Sequence, residues 1–465
     1  MKFWKGLNRF LDRFFKDVDP TSGDIRKNNI EMTKHLWFNS VLWSIFFFLD
    51  YFWIGKIGTE ALAAVSIGGC AVMLFSTAQI GLSNATIAII GRLVGEEKNE
   101  EANLWGREIL IITFLVSLIL ATVGFIIAPD LLKLLGAEPK VLNLATGYLR
   151  IGLMAMMFLF PVYTIFGMLR GAREMRIPML IMAGMIIIGM LFDPLLILGL
   201  GPFPRMGVYG AAIAMIIRGI FGAGIGLWIL LKGKSAIKVD LAKNTTSYLP
   251  RLATFRKMIS QAGINTLELF GLNTIGFIMM RIVALWGTPA IAAYGIGMNL
   301  LMIASIAGYD LAYTTSIMIS NNLGAGKIQR ARAICWDNAK LNLYIMVGFG
   351  ILFACLANQI VGIFDRTPEV ISSGISYLRW TIPGWLFLAP WTIFRRAFVG
   401  AQRPEIPLII SLFSSGAIQI PLAYYFSTIF GLGANGIWLA ILIATISGGI
   451  IGAIWFQMGR WIPKG

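Results

Sequence analysis

One histidine and three cysteines are the whole supply of imidazole and thiol ligands in the 465 residues. Cys70, Cys335 and Cys355 stand in or near apolar stretches without the spacing of a zinc site, so they read as small buried hydrophobes and no disulfide framework is expected. His35 stands where the first apolar stretch begins and reads as an interfacial residue. Charge is scarce as well, at 13% of residues against 57% hydrophobic, with a mean hydropathy of +0.76. That balance excludes an ordinary soluble domain. HExxH, GxSxG and phosphate-loop motifs are missing, and Tyr309-Asp310 lacks the Gly-x-Gly-Asp partner of a paired-aspartate membrane protease, so neither an enzyme nor a cofactor is expected. No filter-like sequence points to a channel.

What the chain does have is long apolar runs. Stretches able to cross a bilayer recur at about 36–54, 63–91, 108–129, 141–169, 177–200, 207–231, 258–286, 290–320, 341–364, 370–394, 405–430 and 433–458. These predict an all-α integral membrane protein of twelve transmembrane helices. The net charge of +16 follows the topology: 30 of the 39 Lys and Arg fall before the first span and on every second connection, and 6 on the opposite connections. By the positive-inside rule both termini are cytoplasmic, in a cell inner (plasma) membrane, and no nucleic-acid partner is implied. Residues 1–17 alternate Phe, Trp and Leu with Lys and Arg at helical spacing, as for a segment lying on anionic lipid or packed beneath the bundle.

A shift of 229 residues lays the chain on itself. Gly58-Thr59 falls on Gly287-Thr288, Gly95 on Gly324, Tyr148-Leu149-Arg150 on Tyr377-Leu378-Arg379, Pro161 on Pro390 and Gly171-Ala172 on Gly400-Ala401. Six spans per half is an even number, so the two repeats run parallel, about an axis along the membrane normal. The expected parts are an amphipathic segment 1–30, an N-lobe 31–231 (helices 1–6), a linker 232–257 and a C-lobe 258–460 (helices 7–12), with a central cleft between the lobes.

Asp50-Tyr-Phe-Trp-Ile-Gly55, the Asp193-Pro194 run leading through Pro204-Arg205-Met-Gly207 to Gly210-Ala-Ala-Ile-Ala214, and Asn322-Leu-Gly324-Ala-Gly326 resemble motifs of the multidrug and toxic compound extrusion (MATE) family, in its prokaryotic, DinF-like branch. The resemblance covers residues 30 to 460 and implies a twelve-helix antiporter that exports organic, mostly cationic compounds in exchange for protons or sodium. The rival within the superfamily is a lipid or lipid-linked oligosaccharide flippase, which would have a larger, more cationic cleft and often fourteen helices. A monomer in contact with membrane lipid is expected.

Four of the 23 acidic residues lie well inside spans: Asp50, Asp193, Glu268 and Asp310. An Asp near a helix centre costs roughly 2.5 to 3.5 kcal/mol to insert, and marks a functional site by default. Asp50 follows Lys34 by 16 residues and Asp193 follows Arg176 by 17, so at about 1.5 Å per residue both lie about 25 Å up. Two carboxyls at one depth in a low dielectric make a group able to gain and lose a proton. An ion pair with Arg150, Arg218 or Arg281 is the bland alternative. Pro194 leaves the Met190 carbonyl without its helical donor, so a bend is expected beside Asp193. Glu268 and Asp310 are further coupling or substrate candidates.

The resemblance also bears on the ion. Family members proposed to bind sodium in the first lobe have Asn four residues before the fifth-helix Asp and Thr in the sixth helix, whereas this chain has Gly189 there and no Ser, Thr or Asn from 177 to 231. A sodium ion wants several oxygens, so proton coupling is favoured and sodium at Asp50 and Asp193 is the alternative. Trp43, Phe46 and Tyr163, near the two acids or on the facing fourth helix, are the candidate aromatic surface for a cationic substrate.

Overall fold

The computed structural model describes residues 14–239 and 250–462, so the basic face of residues 2–13 and residues 240–249 of the 232–257 linker lie outside the described residues. Helices account for nearly all of it: α1 (Ile25–Gly55), α2 (Thr59–Gly95), α3 (Asn99–Leu134), α4 (Pro139–Gly171), α5 (Arg176–Leu198), α6 (Val208–Leu231), α7 (Leu252–Ala284), α8 (Gly287–Gly324), α9 (Ile328–Cys355), α10 (Ala357–Phe364), α11 (Pro368–Gly400), α12 (Glu405–Ile429) and α13 (Ala434–Gln457). Eleven are long and apolar enough to span a membrane; α11 is long enough, but Glu369, Arg379, Arg395 and Arg396 make it more polar. With α11 counted and the short α10 taken as the tail of α9, the spans number twelve.

Most helices overrun the apolar stretches that predict them, because helical hydrogen bonding continues past the edge of the hydrocarbon. One consequence corrects the sequence-based placement of Arg395 and Arg396. They count as loop residues on hydropathy, but they lie inside α11. The predicted span 341–364 is likewise broken at Leu356, between α9 and α10. Cys335 is buried, as expected, while Cys70 and Cys355 are exposed on helix surfaces that face out of the packed core.

The chain divides into two compact units, residues 14–20 with 30–263 and residues 21–29 with 264–462. In the first, α4 is central, packed by α2, α3 and α6, with α5 against α6. Its core joins Leu82, Ile89, Ile109, Leu149, Phe160 and Leu169. In the second, α11 is central, packed by α8, α9 and α13. Tyr294, Tyr377, Trp385 and Trp438 fill one part of its core, and Phe394, Phe398, Phe456 and Trp461 another.

The repeat reaches the backbone. Pro139 and Pro368, 229 residues apart, both sit in the first turn of their helices, where a missing N–H costs nothing. Glu97 and Gly326, and Arg173 and Gln402, share left-handed φ values of 59° and 70°, and of 73° and 61°. In both units a glycine permits backbone contact: a Cβ on Gly210 would fall 2.6 Å from the Leu196 carbonyl carbon, and one on Gly436 would fall 2.5 Å from that of Phe426.

The segment before α1 is held by capping and ion pairs. In the first unit Asp17 Oδ1 accepts the amides of Met175 and Arg176 at 2.6 and 3.0 Å, at the start of α5. Glu174, in the loop before α5, accepts the Ala236 amide at 2.8 Å, while its other oxygen is buried without a partner. Burial pushes the Glu174 carboxyl up to about 7, against the Ala236 bond and with help from Asp17. In the second unit Arg26 pairs with Asp337 at 2.9 Å and Asn29 donates to Asn338.

Candidate functional site

The first unit gathers its intramembrane charges from α1, α5 and α6. Asp193 is 1% exposed and neither of its carboxyl oxygens has a hydrogen-bond partner. Asp50, half-buried on α1, and Arg218, 8% exposed on α6, both lie within its electrostatic reach. Neither acid forms an ion pair within 4 Å with any described Lys or Arg, so Arg218 is a neighbour rather than a clamp. Its guanidinium stands instead over the Phe46 ring, 4.4 Å from the centroid. That stacking keeps a cation desolvated at small cost while leaving its field open to both acids. The Tyr148 hydroxyl, fully inside on α4, feels Asp50, Asp193 and Arg218 together.

Gly189 explains why no larger residue stands four before Asp193. A Cβ there would fall 2.6 Å from Phe46 Cε2 and 2.8 Å from Arg218 Cδ. The space beside Gly189 is filled by the Phe46 ring and the aliphatic stem of Arg218. Pro194 lies inside α5, which runs unbroken from Arg176 to Leu198. Trp43, 41% exposed, packs its ring 5.5 Å from that of Phe46, which is 3% exposed, and Tyr163 lies against Phe166 at 5.7 Å.

The second unit treats its acid in the opposite way. Glu268, 2% exposed on α7, accepts from Arg395 Nε at 2.6 Å and from Ser411 Oγ at 3.0 Å. Arg396 stands beside this pair with its guanidinium 5.1 Å from the centre of the Tyr313 ring. Asp310 is half-buried on α8, next to Tyr309, which lies in the electrostatic range of both arginines. Asp50 and Asp193 are thus brought together, and Glu268 is held by an ion pair.

The two acid-bearing entry helices share one property. Only 17% of the spanning window of α1 and 22% of that of α7 is buried, against 61% for α4. Each carries its acid on a helix with few neighbours of its own.

A family profile, MatE, matches residues 36–195 and again 266–425, two stretches that begin 230 residues apart and cover more than half the chain. The chain belongs to the MatE family. It is therefore a multi-pass membrane transporter and not an enzyme. A Shewanella oneidensis protein named FAD transporter is 29% identical over 407 residues, 86% of this chain and 87% of that one. A Thermotoga maritima protein named probable multidrug resistance protein NorM is 26% identical over 448 residues, 94% and 93% of the two chains. Among solved structures, one of MATE in the bent conformation superposes with a TM-score of 0.87 at 20% identity, covering 96% of this chain and 98% of that one. This confirms the fold read from the sequence: twelve helices in two repeats.

Sequence reasoning missed Arg395, Arg396 and Ser411, and counted Arg218 only as a bland partner. A hydropathy window assigns Arg395 to a loop because it lies five residues before the end of α11. The usable sign was Glu268 itself, a buried acid for which a cation had to be found.

Proposed function

We propose that the chain is a secondary antiporter that exports organic cations in exchange for protons, with Asp50 and Asp193 as the coupling pair. It would sit as a monomer in the cell inner membrane with both termini cytoplasmic. The observation that carries this is the Asp193 carboxyl, buried in a membrane-spanning helix with both oxygens unbonded. An ionised carboxylate so placed is costly, and taking up a proton removes the charge. The lack of Ser, Thr, Asn or Gln on α5 and α6 and the filling of the Gly189 position both argue against an oxygen cage for sodium.

The mechanism follows from charge balance. With both acids ionised, Arg218 offsets one of two negative charges, and the remaining one attracts a substrate cation beside Trp43 and Tyr163, the Phe46 face being taken by Arg218. Protonation from outside removes that attraction and releases the substrate. Loss of the proton inward restores it. Alternating access supplies the two exposures, with the sparsely packed α1 as the element that responds. Glu268 and Asp310 serve the substrate path of the second unit.

A phosphate-bearing substrate is the second reading, favoured by the relative named FAD transporter and by the resident guanidiniums Arg218, Arg395 and Arg396. Efflux of a fluorescent organic cation from liposomes, with a proton or a sodium gradient at matched potential, separates the cases. Proton-driven efflux that vanishes in Asp193→Asn is expected. Efflux driven by sodium alone would sink the proton assignment, and transport of FAD in place of the cation would favour the second reading.

A further inference from the structure

The repeat makes a comparison possible at the ends of α4 and α11, on the face poor in Lys and Arg. In the first unit Arg150 is fully engaged: its Nε donates to the Phe125 carbonyl at 3.2 Å and its guanidinium stacks 4.7 Å from the Phe125 ring. The Tyr209 ring lies directly on Gly147, where a Cβ would come within 2.4 Å of Cε1. Aromatic rings close this corner.

Every one of those fillers is lost in the second unit. The 229 shift puts Arg379 at the place of Arg150, Ala354 at that of Phe125 and Ser376 at that of Gly147. The Gly433-Ala-Asn-Gly436 turn matches Gly207-Val-Tyr-Gly210, which puts Asn435 at the place of Tyr209 and Trp438 at that of Ala212. The helix that carries Ala354 also stops one residue later, at Cys355. What results is a cavity of about 850 Å³, within the size range of small-molecule sites.

Its lining is chemically one-sided. Arg379, Asn358, Ser373, Asn435 and Trp438 line it with donor groups, the Ser376 hydroxyl being spent on the Asn435 side-chain oxygen, and no Asp or Glu lines it. Arg379 has no ion pair among the described residues. Trp438 is completely buried, stacked on Tyr294 with the ring planes 6° apart, and its indole N–H has no acceptor. A buried N–H without an acceptor is left unsatisfied, and an oxyanion brought against it would satisfy it. Trp380, 37% exposed, adds an apolar wall.

We propose that this cavity binds the phosphate or carboxylate of an organic anion, with Arg379 as its counter-ion and the Trp438 N–H as a fixed donor. The site belongs wholly to the second unit and does not depend on which ion couples transport. Two sources share that chemistry: a soluble organophosphate reaching the outer face, and the headgroup of an anionic lipid.

The purified full chain would be titrated with glycerol 3-phosphate by calorimetry. In parallel it would be placed in nanodiscs of phosphatidylglycerol or of phosphatidylcholine, and retained lipid would be counted by native mass spectrometry. Binding of glycerol 3-phosphate identifies the soluble source, and selective retention of phosphatidylglycerol alone identifies the lipid. In either case Arg379→Gln is expected to weaken binding at least tenfold, Trp438→Phe several-fold, and Arg150→Gln not at all. The double substitution A354F with N435Y refills the corner as in the first unit without touching Arg379, and should also abolish binding. Failure of wild type to bind either probe overturns the proposal, as does binding that survives both Arg379→Gln and the refilled variant.

Discussion

The two units share a backbone plan and divide their charges differently. In the first, Asp50, Asp193 and Arg218 lie near one another without pairing. At the positions of the first two the second unit has Met279 and Leu422, and the α6 to α13 match sets Ala444 opposite Arg218. Its own acid, Glu268, stands where the first unit has Asn39, and is clamped by Arg395 and Ser411. A loose charge cluster can change protonation without breaking a bond, whereas a clamped one resists it. The repeat thus preserves packing while leaving the acids of one unit unpaired and holding that of the other in an ion pair.

The largest expected effect breaks that comparison at Asp193. Asp193→Asn should reduce proton-driven efflux from liposomes to the level of empty vesicles while leaving the melting temperature unchanged or higher, because an unpaired buried acid is removed. Retained efflux would take Asp193 out of the coupling step. Asp50→Asn should act in the same direction.

Next comes the clamp. Glu268→Ala leaves the Arg395 guanidinium without its carboxylate and should cost about 3–5 kcal/mol of stability, whereas replacing both partners by apolar residues should restore most of it. Thermal unfolding in detergent reads this, and equal losses in the single and double variants would mean that packing, not charge, is at stake. Ser411→Ala sharpens the same point, with an expected loss of about 1.5–3 kcal/mol for one hydrogen bond to a charged acceptor.

The smallest effect concerns Glu174. Its carboxyl is raised from 4.5 to about 7, so its contribution to stability is fully present below pH 4.5 and is lost as pH rises through about 7. The Glu174→Gln protein should therefore lose less melting temperature than wild type between pH 5 and pH 8. Parallel curves for the two proteins would refute the shift.

The fold, and the acids of the candidate site, were legible in the sequence for identifiable reasons. Apolar runs, alternating basic loops and the 229-residue shift are one-dimensional properties, and Asp50 or Asp193 is conspicuous because a lone charge interrupts phenylalanine and isoleucine. Arg395 was hidden because its depth depends on how far α7 and α11 extend past the apolar stretch, which hydropathy does not report. The cavity at Arg379 was hidden for another reason: Ala354 and Asn435 are ordinary residues, and only the rings missing from their places make them consequential.

Helix α12 has a consequence of its own in the i→i+5 turns at Leu412–Gln419 and Tyr425–Ile429. Each such turn takes one residue more than an α turn, so the inward stripe slips in phase. Ile406, Ile410 and Ser414 keep an α rhythm, but the next fully inward residues are Ala423 and Ser427 rather than those an unbroken α-helix would turn inward. The helix thus works like a screw with a dislocated thread: deleting one residue between 412 and 419 should be absorbed by reversion to the ordinary pitch, whereas the same deletion in α5 would rotate Asp193 out of its place.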